Sequence, residues 1–204
     1  MSKYILVEAW TEGTRPVLIN RATAEDLAGK TRVNTPGMEE DPRDIAERHV
    51  YRIKDRQLAF PGAGYARMMR EAGGSHKAKG SRKSLKYIVP AAVVVLDDLC
   101  GFYLKDRKTP IVEFEVDSRP VNIPATKGRV MRHRARIEEW TNKVNLRINS
   151  QILDESLVRR LLAEGIEMIG LGDNRPSFGT GDLVAWQVLN RSDKLSPAQL
   201  HAVG

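Results

Sequence analysis

The sequence is poor in cysteine and in aromatic side chains. Cys100 is the only cysteine among 204 residues, and aromatic residues make up 6%. A disulfide within the chain and a zinc site built on several cysteines are therefore excluded. A single thiol is typical of proteins that fold in a reducing compartment, so we expect a cytoplasmic protein. Its setting in "VVVLDDLCGFYL" indicates a small core residue rather than a nucleophile, because no base lies nearby in the sequence.

Long apolar runs are also missing. The longest one, "YIVPAAVVVL" at 87–96, is far shorter than the roughly 20 residues that a membrane-spanning helix needs. The first residues do not resemble a secretory leader, because Lys3 and Tyr4 lead into a strand-like run with charges soon after. We therefore expect no membrane partner.

Patterns that would indicate catalysis or metal binding are weak. No pair of histidines has a metal-ligand spacing in the set His49, His76, His133 and His201. Asp97 and Asp98 are adjacent, and neighbouring strand residues point to opposite faces. The sequence therefore predicts no metal, no cofactor and no catalytic residue. One alternative stays open, which is cleavage of RNA by His76 or by an aspartate among Asp26, Asp41 and Asp44.

Positive charge is what the chain has in excess. It carries 33 Lys and Arg against 26 Asp and Glu, a formal net charge of +7, which favours polyanionic partners. One basic cluster comprises Arg67, Arg70, His76, Lys77, Lys79, Arg82, Lys83 and Lys86. A second comprises Arg129, Arg132, Arg134 and Arg136, of which the last three would share one face of a strand. Two such clusters in one chain favour a nucleic-acid-binding protein.

The order of the periodic segments predicts an α+β fold. Strands are expected at 4–10, 91–98, 109–118, 141–149 and 182–188, and helices at 23–29, within 57–74 and at 154–170. The segment "VLINRA" (17–22) is expected to pair with the first strand. This order is compatible with a ferredoxin-like (RRM-like) βαββαβ core in one domain over 1–190. Insertions would occupy about 20–50 and 119–137, and 191–204 would be a polar tail.

A glycine-rich segment, "IGLGDNRPSFGTG" (169–181), joins the last helix to the last strand. It matches neither GxxxxGK[ST] nor a GxGxxG that opens a helix, because here the helix comes first. Two interpretations remain from these residues alone. The segment is a turn with Gly170 as the helix cap, or a loop whose backbone approaches a phosphate or another backbone closely, with Arg175 as a charged donor.

Two segments together resemble the RAMP superfamily, the ferredoxin-like RNA-binding proteins of CRISPR effector complexes. "FPGAGYARMMR" (60–70) is similar to that family's "PGSSxKGxxR" junction from strand to helix through Pro61, Gly62, Ala63 and Arg70. The usual lysine of this junction is replaced around Tyr65-Ala66. The segment at 169–181 is similar to the family's glycine-rich loop, "hGxGxxRxxGxG", through Gly170, Gly172, Arg175, Gly179 and Gly181.

This resemblance implies a backbone-type subunit that binds a guide RNA and projects a β-hairpin thumb, here at 119–137. The expected function is non-catalytic binding of single-stranded RNA, or DNA, with association to itself or to other ribonucleoprotein subunits. The residues expected at the nucleic acid are those of both basic clusters, with Gly172, Arg175, Gly179 and Gly181 of the loop. A phage-encoded mimic of the fold that binds a host CRISPR complex stays an alternative.

Overall fold

The computed structural model of the chain describes residues 2–27, 40–78, 80–122 and 128–192. In chain order the elements are β1 (Tyr4–Gly13), β2 (Val17–Ile19), α1 (Ala24–Leu27), α2 (Pro42–Arg48), β3 (Tyr51–Arg52), β4 (Leu58–Pro61), α3 (Gly62–Ala72), α4 (Val89–Ala92), β5 (Val93–Val95), β6 (Leu99–Tyr103), β7 (Glu115–Asn122), β8 (Arg129–Ile137), β9 (Thr141–Asn149), α5 (Glu155–Met168) and β10 (Gly181–Ser192). Short 3-10 helices lie at Lys54–Arg56 and Leu85–Tyr87.

The main sheet has the strand order of a ferredoxin-like fold. Its strands run β10-β1-β9-β6-β4-β3, and β5 also pairs with β9. The strand ladders that join them are antiparallel. The four core strands in chain order are β1, β5–β6, β9 and β10, and the two core helices are α3 and α5. Across the sheet these strands lie in the order fourth, first, third, second, which is the order of a ferredoxin-like fold. The α+β class and the ferredoxin-like core are therefore confirmed.

The two core helices bury the apolar stripes that their sequence spacing predicts. In α3 the residues Tyr65, Met68, Met69 and Ala72 are buried, and in α5 the residues Val158, Leu161, Leu162 and Ile166 are buried. Tyr65 also makes a polar link to β1, because its hydroxyl lies 2.7 Å from Oγ1 of Thr11. Burial raises the pKa of the Tyr65 phenol well above its usual value, so this link involves a neutral hydroxyl.

Four of the five predicted strands have different bounds in the structure. The first and last are longer than predicted, as β1 (Tyr4–Gly13) and β10 (Gly181–Ser192), and the other two are shorter. The strand expected at 91–98 is interrupted after β5, where the carboxylate of Asp97 accepts hydrogen bonds from the backbone N–H (2.6 Å) and side-chain amide (3.0 Å) of Asn145. The N–H of Asn145 in β9 thus donates to the Asp97 side chain instead of to a backbone carbonyl of a neighbouring strand. The strand expected at 109–118 begins only at Glu115, because Ile111 lies in a connecting segment whose backbone bonds to Leu58 and Phe102.

The predicted pairing of "VLINRA" with the first strand is wrong. β2 pairs with β8 instead, Val17 opposite Ile137. The reason is that both edges of β1 are already occupied, by β9 on one side and β10 on the other. The chain therefore leaves the main sheet after Gly13 and forms a second sheet of order β2-β8-β7.

The two sheets share one hydrophobic core. Buried residues of β2 and β8 belong to the same cluster as those of the main sheet and of α3 and α5. Trp140 lies at the junction, fully buried, with its ring edge-on to Phe102 at 5.7 Å between centroids. Its indole N–H donates to the carbonyl oxygen of Arg15 at 3.0 Å. The second sheet is therefore anchored to the first through packing and a partly buried hydrogen bond.

The expected insertions are visible in part. β7 and β8 form a hairpin over 115–137, which we call the thumb hairpin; its residues 123–127 lie outside the described part. In the first insertion α2 begins after Asp41, whose side chain caps the helix through the N–H of Arg43 at 2.8 Å. Residues 28–39 and most of the predicted tail, 193–204, are not among the described residues. The single domain over 1–190 stays a prediction. Among the described helices, none has the length and apolar character needed to cross a membrane.

Candidate nucleic-acid interface

The glycine-rich loop between α5 and β10 packs tightly against protein backbone. Gly170, Gly172 and Gly179 have φ angles of 78°, 78° and 72°, which favour glycine. A Cβ added at Gly172 would overlap the carbonyl oxygen of Leu18, and one added at Gly179 would overlap that of Leu171. In the structure, the close approach that these glycines permit is therefore to other backbone.

Backbone hydrogen bonds join this loop to β2 and to the turn between β1 and β2. Asp173 N–H donates to Leu18 at 2.8 Å, and Gly179 N–H donates to Pro16 at 2.8 Å. In return, the carbonyl oxygen of Thr180 accepts from the N–H groups of residues 14 and 15. The loop is thus held in one position relative to the second sheet, and several of its N–H groups are already engaged inside the protein.

The thumb hairpin docks on one side of this loop. Nε of Arg134 lies 2.7 Å from a carboxylate oxygen of Asp173, and the Arg134 side chain is 6% exposed. The side-chain amide of Asn20 reaches the same carboxylate at 3.3 Å. Further along the hairpin, the guanidinium of Arg119 lies 4.6 Å from the ring centroid of Phe178. One charged contact and one cation–π contact therefore orient the hairpin against the loop.

Helix α3 lies on the other side of the loop. Nη1 of Arg175 is 3.3 Å from the carbonyl oxygen of Gly170 and 3.6 Å from a carboxylate oxygen of Glu71. Nε of Arg67 donates to the other oxygen of Glu71 at 2.9 Å. These side chains line a groove of about 590 Å³ between α3 and the loop. Asp173 lines the same groove, so its two guanidinium groups, of Arg67 and Arg175, are balanced by two carboxylates, of Glu71 and Asp173.

Arg70 also lies on α3, and most of the remaining cluster lies on a short hairpin after that helix, which we call the basic hairpin (76–85); Lys86 follows it in the 3-10 helix. Its two arms are joined by backbone hydrogen bonds, Ala78 to Lys83 at 3.0 Å and Leu85 to His76 at 2.9 Å. Among the described residues, no ion pair is formed by the exposed cations Arg70, Lys77, Arg82, Lys83 and Lys86. His76 differs, because it is half-buried and lies 2.5 Å from Glu164. Lys79 lies outside the described residues.

The four arginines of the second cluster have different surroundings. Arg129 and Arg132 are exposed on β8, whereas Arg134 is buried and Arg136 is half-buried and bonded to Glu138 at 2.6 Å. Arg132, Arg134 and Arg136 do alternate along one strand, as their spacing predicts. Only the outer part of that face is open to a ligand, because the inner part contacts the glycine-rich loop.

The residues of the catalytic alternative have local structural partners. Asp26 accepts from the N–H and the hydroxyl of Thr23, both at 2.7 Å, and these bonds lower the pKa of its carboxyl. Asp41 caps α2, and His76 contacts Glu164. No cluster of three or more His, Cys, Asp or Glu residues that could hold a metal ion occurs within the described ranges.

Three residues of this region have no role in the sequence-based prediction. Asp173 and Phe178 lie inside the glycine-rich segment, and Arg119 lies at the start of the predicted insertion. Arg119 is directly opposite Arg132 in the hairpin register. Only the register shows that Arg119 belongs with the second cluster.

No protein family and no curated protein matches this sequence. Solved structures do. The cryo-EM structure of the type III-B Cmr-beta bound to cognate target RNA contains a chain that is 13% identical, with a TM-score of 0.50 over 94% of this chain and 62% of that chain. Cmr6 from Pyrococcus furiosus is 11% identical, with a TM-score of 0.46 over 90% of this chain and 99% of that chain.

The likeness to the Cmr-beta chain confirms, at the level of the fold, the resemblance that the two motifs indicate. The present chain spans less than two thirds of that chain's length.

The close contact between Gly172 and the backbone of Leu18 predicts that adding one methyl group at residue 172 strongly lowers the free energy of unfolding. Gly172→Ala should lower the free energy of unfolding by more than about 2 kcal/mol, because it combines a left-handed φ with an overlap at Leu18. Gly80→Ala is the matched control, since Gly80 has a φ of 70° but open space around it, and should cost about 1 kcal/mol. Denaturant unfolding measures both. Equal losses would contradict the role of the backbone contact.

Substitution of Arg132 and of Arg134, which lie two residues apart on β8, should have different effects on the free energy of unfolding. Arg134→Ala removes the partner of Asp173 and should lower the free energy of unfolding by about 2 kcal/mol. Arg132→Ala changes an exposed side chain and should stay within about 0.5 kcal/mol of the wild type. Thermal and denaturant unfolding test this difference. An Arg134→Ala variant as stable as Arg132→Ala would show that the ion pair does not hold the hairpin.

Glu71 should make stability depend on pH in the acidic range. Its hydrogen bond from Arg67, with the charge of Arg175, lowers the pKa of its carboxyl below 4.5 in the folded protein. The contribution of this group is therefore complete above about pH 4.5 and is lost as the pH falls through the folded pKa. Melting temperatures of wild type and Glu71→Gln should differ near neutral pH and converge in acid. A constant difference across that range would contradict the assignment.

Proposed function

We propose that this chain is a non-catalytic protein that binds single-stranded RNA as a subunit of a ribonucleoprotein complex. The observation that carries the proposal is the position of the glycine-rich loop between the two basic clusters. The loop contacts α3 through Arg175 and the thumb hairpin through Asp173. Cations that lie far apart in the sequence therefore flank one structural element.

The exposed cations offer a path for a phosphate backbone. Arg67 lines both the groove at the loop and a second groove between α3 and α4. Arg70 follows one helical turn later, and the basic hairpin begins just beyond the end of α3. On the other side of the loop, Arg129 and Arg132 extend along the thumb hairpin. Phosphates that follow this path would displace counterions, so binding should weaken steeply with salt.

The roles of the predicted residues differ within this proposal. Arg70, Lys77, Arg82, Lys83, Arg129 and Arg132 would contact phosphates. Gly172 and Arg175 would shape the groove where the strand passes the loop, and Gly179 and Gly181 would support the loop from inside. Arg134 would act through Asp173 by holding the thumb hairpin in place. Lys79 and His76 remain predicted to contact the nucleic acid.

The proposal takes RNA rather than DNA as the ligand, and other protein subunits as partners. The support comes from the Cmr-beta structure, which contains bound target RNA. We also propose that copies of this chain can lie side by side along the strand in the cytoplasm. The motif resemblance to backbone-type subunits and the single buried thiol, Cys100, support these two points.

Charge reversal in each cluster should weaken RNA binding without unfolding the protein. Arg82→Glu/Lys83→Glu and, separately, Arg132→Glu should each reduce affinity for a labelled single-stranded RNA at least tenfold, about 1.4 kcal/mol. The salt dependence should become shallower, by about 0.7 in slope for each phosphate that the variant no longer neutralises. Fluorescence anisotropy over a salt series measures both quantities. Lys108→Glu, an exposed lysine outside both clusters, is the matched control and should bind like the wild type.

The same samples test the rest of the proposal. RNA should stay intact with and without divalent metal, and the mass of the complex should rise stepwise with RNA length. No binding at low salt, or unchanged binding by both charge-reversal variants, would overturn the proposed function. Cleavage of the RNA would overturn its non-catalytic part in favour of an endoribonuclease. A complex of constant mass would overturn side-by-side assembly.

A further inference from the structure

Tyr87 is the most exposed of the large hydrophobic and aromatic side chains that the structure describes, at 78%. It ends the short 3-10 helix Leu85–Tyr87, between the basic hairpin and α4. Leu85 of the same turn is buried, and the backbone N–H of Lys86 donates to Gly73 at the end of α3 at 3.0 Å. The backbone under Tyr87 is thus fixed while its ring faces solvent.

An apolar groove begins two residues further along the chain. It lies between α3 and α4, has a volume of about 420 Å³, and is lined by Ala63, Ala66, Met69, Val89, Pro90 and Val93. This volume is within the range of sites that hold small organic molecules. Arg67 and Arg70 also line it. The groove therefore combines apolar walls with cationic groups.

The charged side chains that line this groove, Arg67 and Arg70, are both positive. Residues 72–96 contain no aspartate or glutamate, although they include five lysines and arginines before Tyr87. The nearest carboxylate of α3, Glu71, is already bonded to Arg67 and close to Arg175. Such a surface complements a ligand that carries negative charge and a flat apolar part together. Nucleotides of a single strand have both, since each base is joined to phosphates.

We propose that Tyr87 and the groove between α3 and α4 form a site for an unpaired base of the bound strand. The inference rests on the proposed RNA-binding function and goes beyond it by assigning an apolar contact. One base stacks on the ring of Tyr87 and its neighbour enters the groove. The phosphates between them lie near Arg70 and Lys86, both of which are exposed. The contact is tolerant of sequence, because every base offers a flat face.

The test compares oligonucleotides with and without bases. Tyr87→Ala should weaken binding of a single-stranded RNA about tenfold, and Tyr87→Phe should bind like the wild type because it keeps the ring. Ala63→Leu, which fills the groove at an exposed helix position, should weaken binding in the same direction. On an abasic oligonucleotide of the same length and charge, wild type and Tyr87→Ala should have equal affinity. Leu104→Ala, another exposed apolar residue, is the matched control.

Each outcome distinguishes this inference from the proposed function. If the wild type binds RNA and Tyr87→Ala binds it equally well, the base site is overturned while RNA binding stands. If Tyr87→Ala loses affinity equally for abasic and base-bearing strands, the residue does not act by stacking, and the inference is wrong. If Tyr87→Ala instead loses only self-association or a protein partner, the groove is a protein interface. If the wild type binds no single strand, the proposed function itself fails.

Discussion

The contact between the glycine-rich loop and the turn that follows β1 is the constraint on which the second sheet depends. β1 is flanked on both edges, so the chain must leave the main sheet at Gly13. The loop then bonds to Pro16 and Leu18 and determines the direction in which β2 departs. Since β2 pairs with β8, the position of the thumb hairpin follows from this contact. A bulkier residue at Gly172 would therefore disturb the position of the thumb hairpin, which lies more than 30 residues earlier in the chain.

The same stretch of β8 serves both stability and surface charge. Arg132 and Arg134 lie on one face of the strand, two residues apart, yet one is exposed and the other is almost fully buried. The difference arises because the loop covers the inner end of the hairpin only. Arginine suits both positions, since its guanidinium can form a fixed pair with a carboxylate or contact a phosphate. Residue type and spacing alone could not separate these roles.

Local periodicity was sufficient to predict the two core helices and most of the core strands, but not β6 (Leu99–Tyr103). The apolar stripes of α3 and α5 and the strand "TNKVNLRIN" have the predicted positions, and their order leads to the ferredoxin-like sheet. The partner of β2 could not be predicted, because strand pairing depends on which edges are free in three dimensions. The burial of Arg134 depends on Asp173, which lies 39 residues later in the chain. Such non-local contacts leave no periodic pattern in the sequence.

The single cysteine, Cys100, is buried, and this has a practical consequence for labelling the protein. Its side chain is buried in β6, and burial raises the pKa of its thiol far above its usual range, so the reactive thiolate is scarce. A cysteine placed on the surface would be far more reactive than the native one under mild conditions. Pairs of fluorophores or spin labels could therefore be attached to the thumb hairpin and the basic hairpin without first removing a native residue. The distance between the two hairpins would then be measurable in the free and the ligand-bound protein.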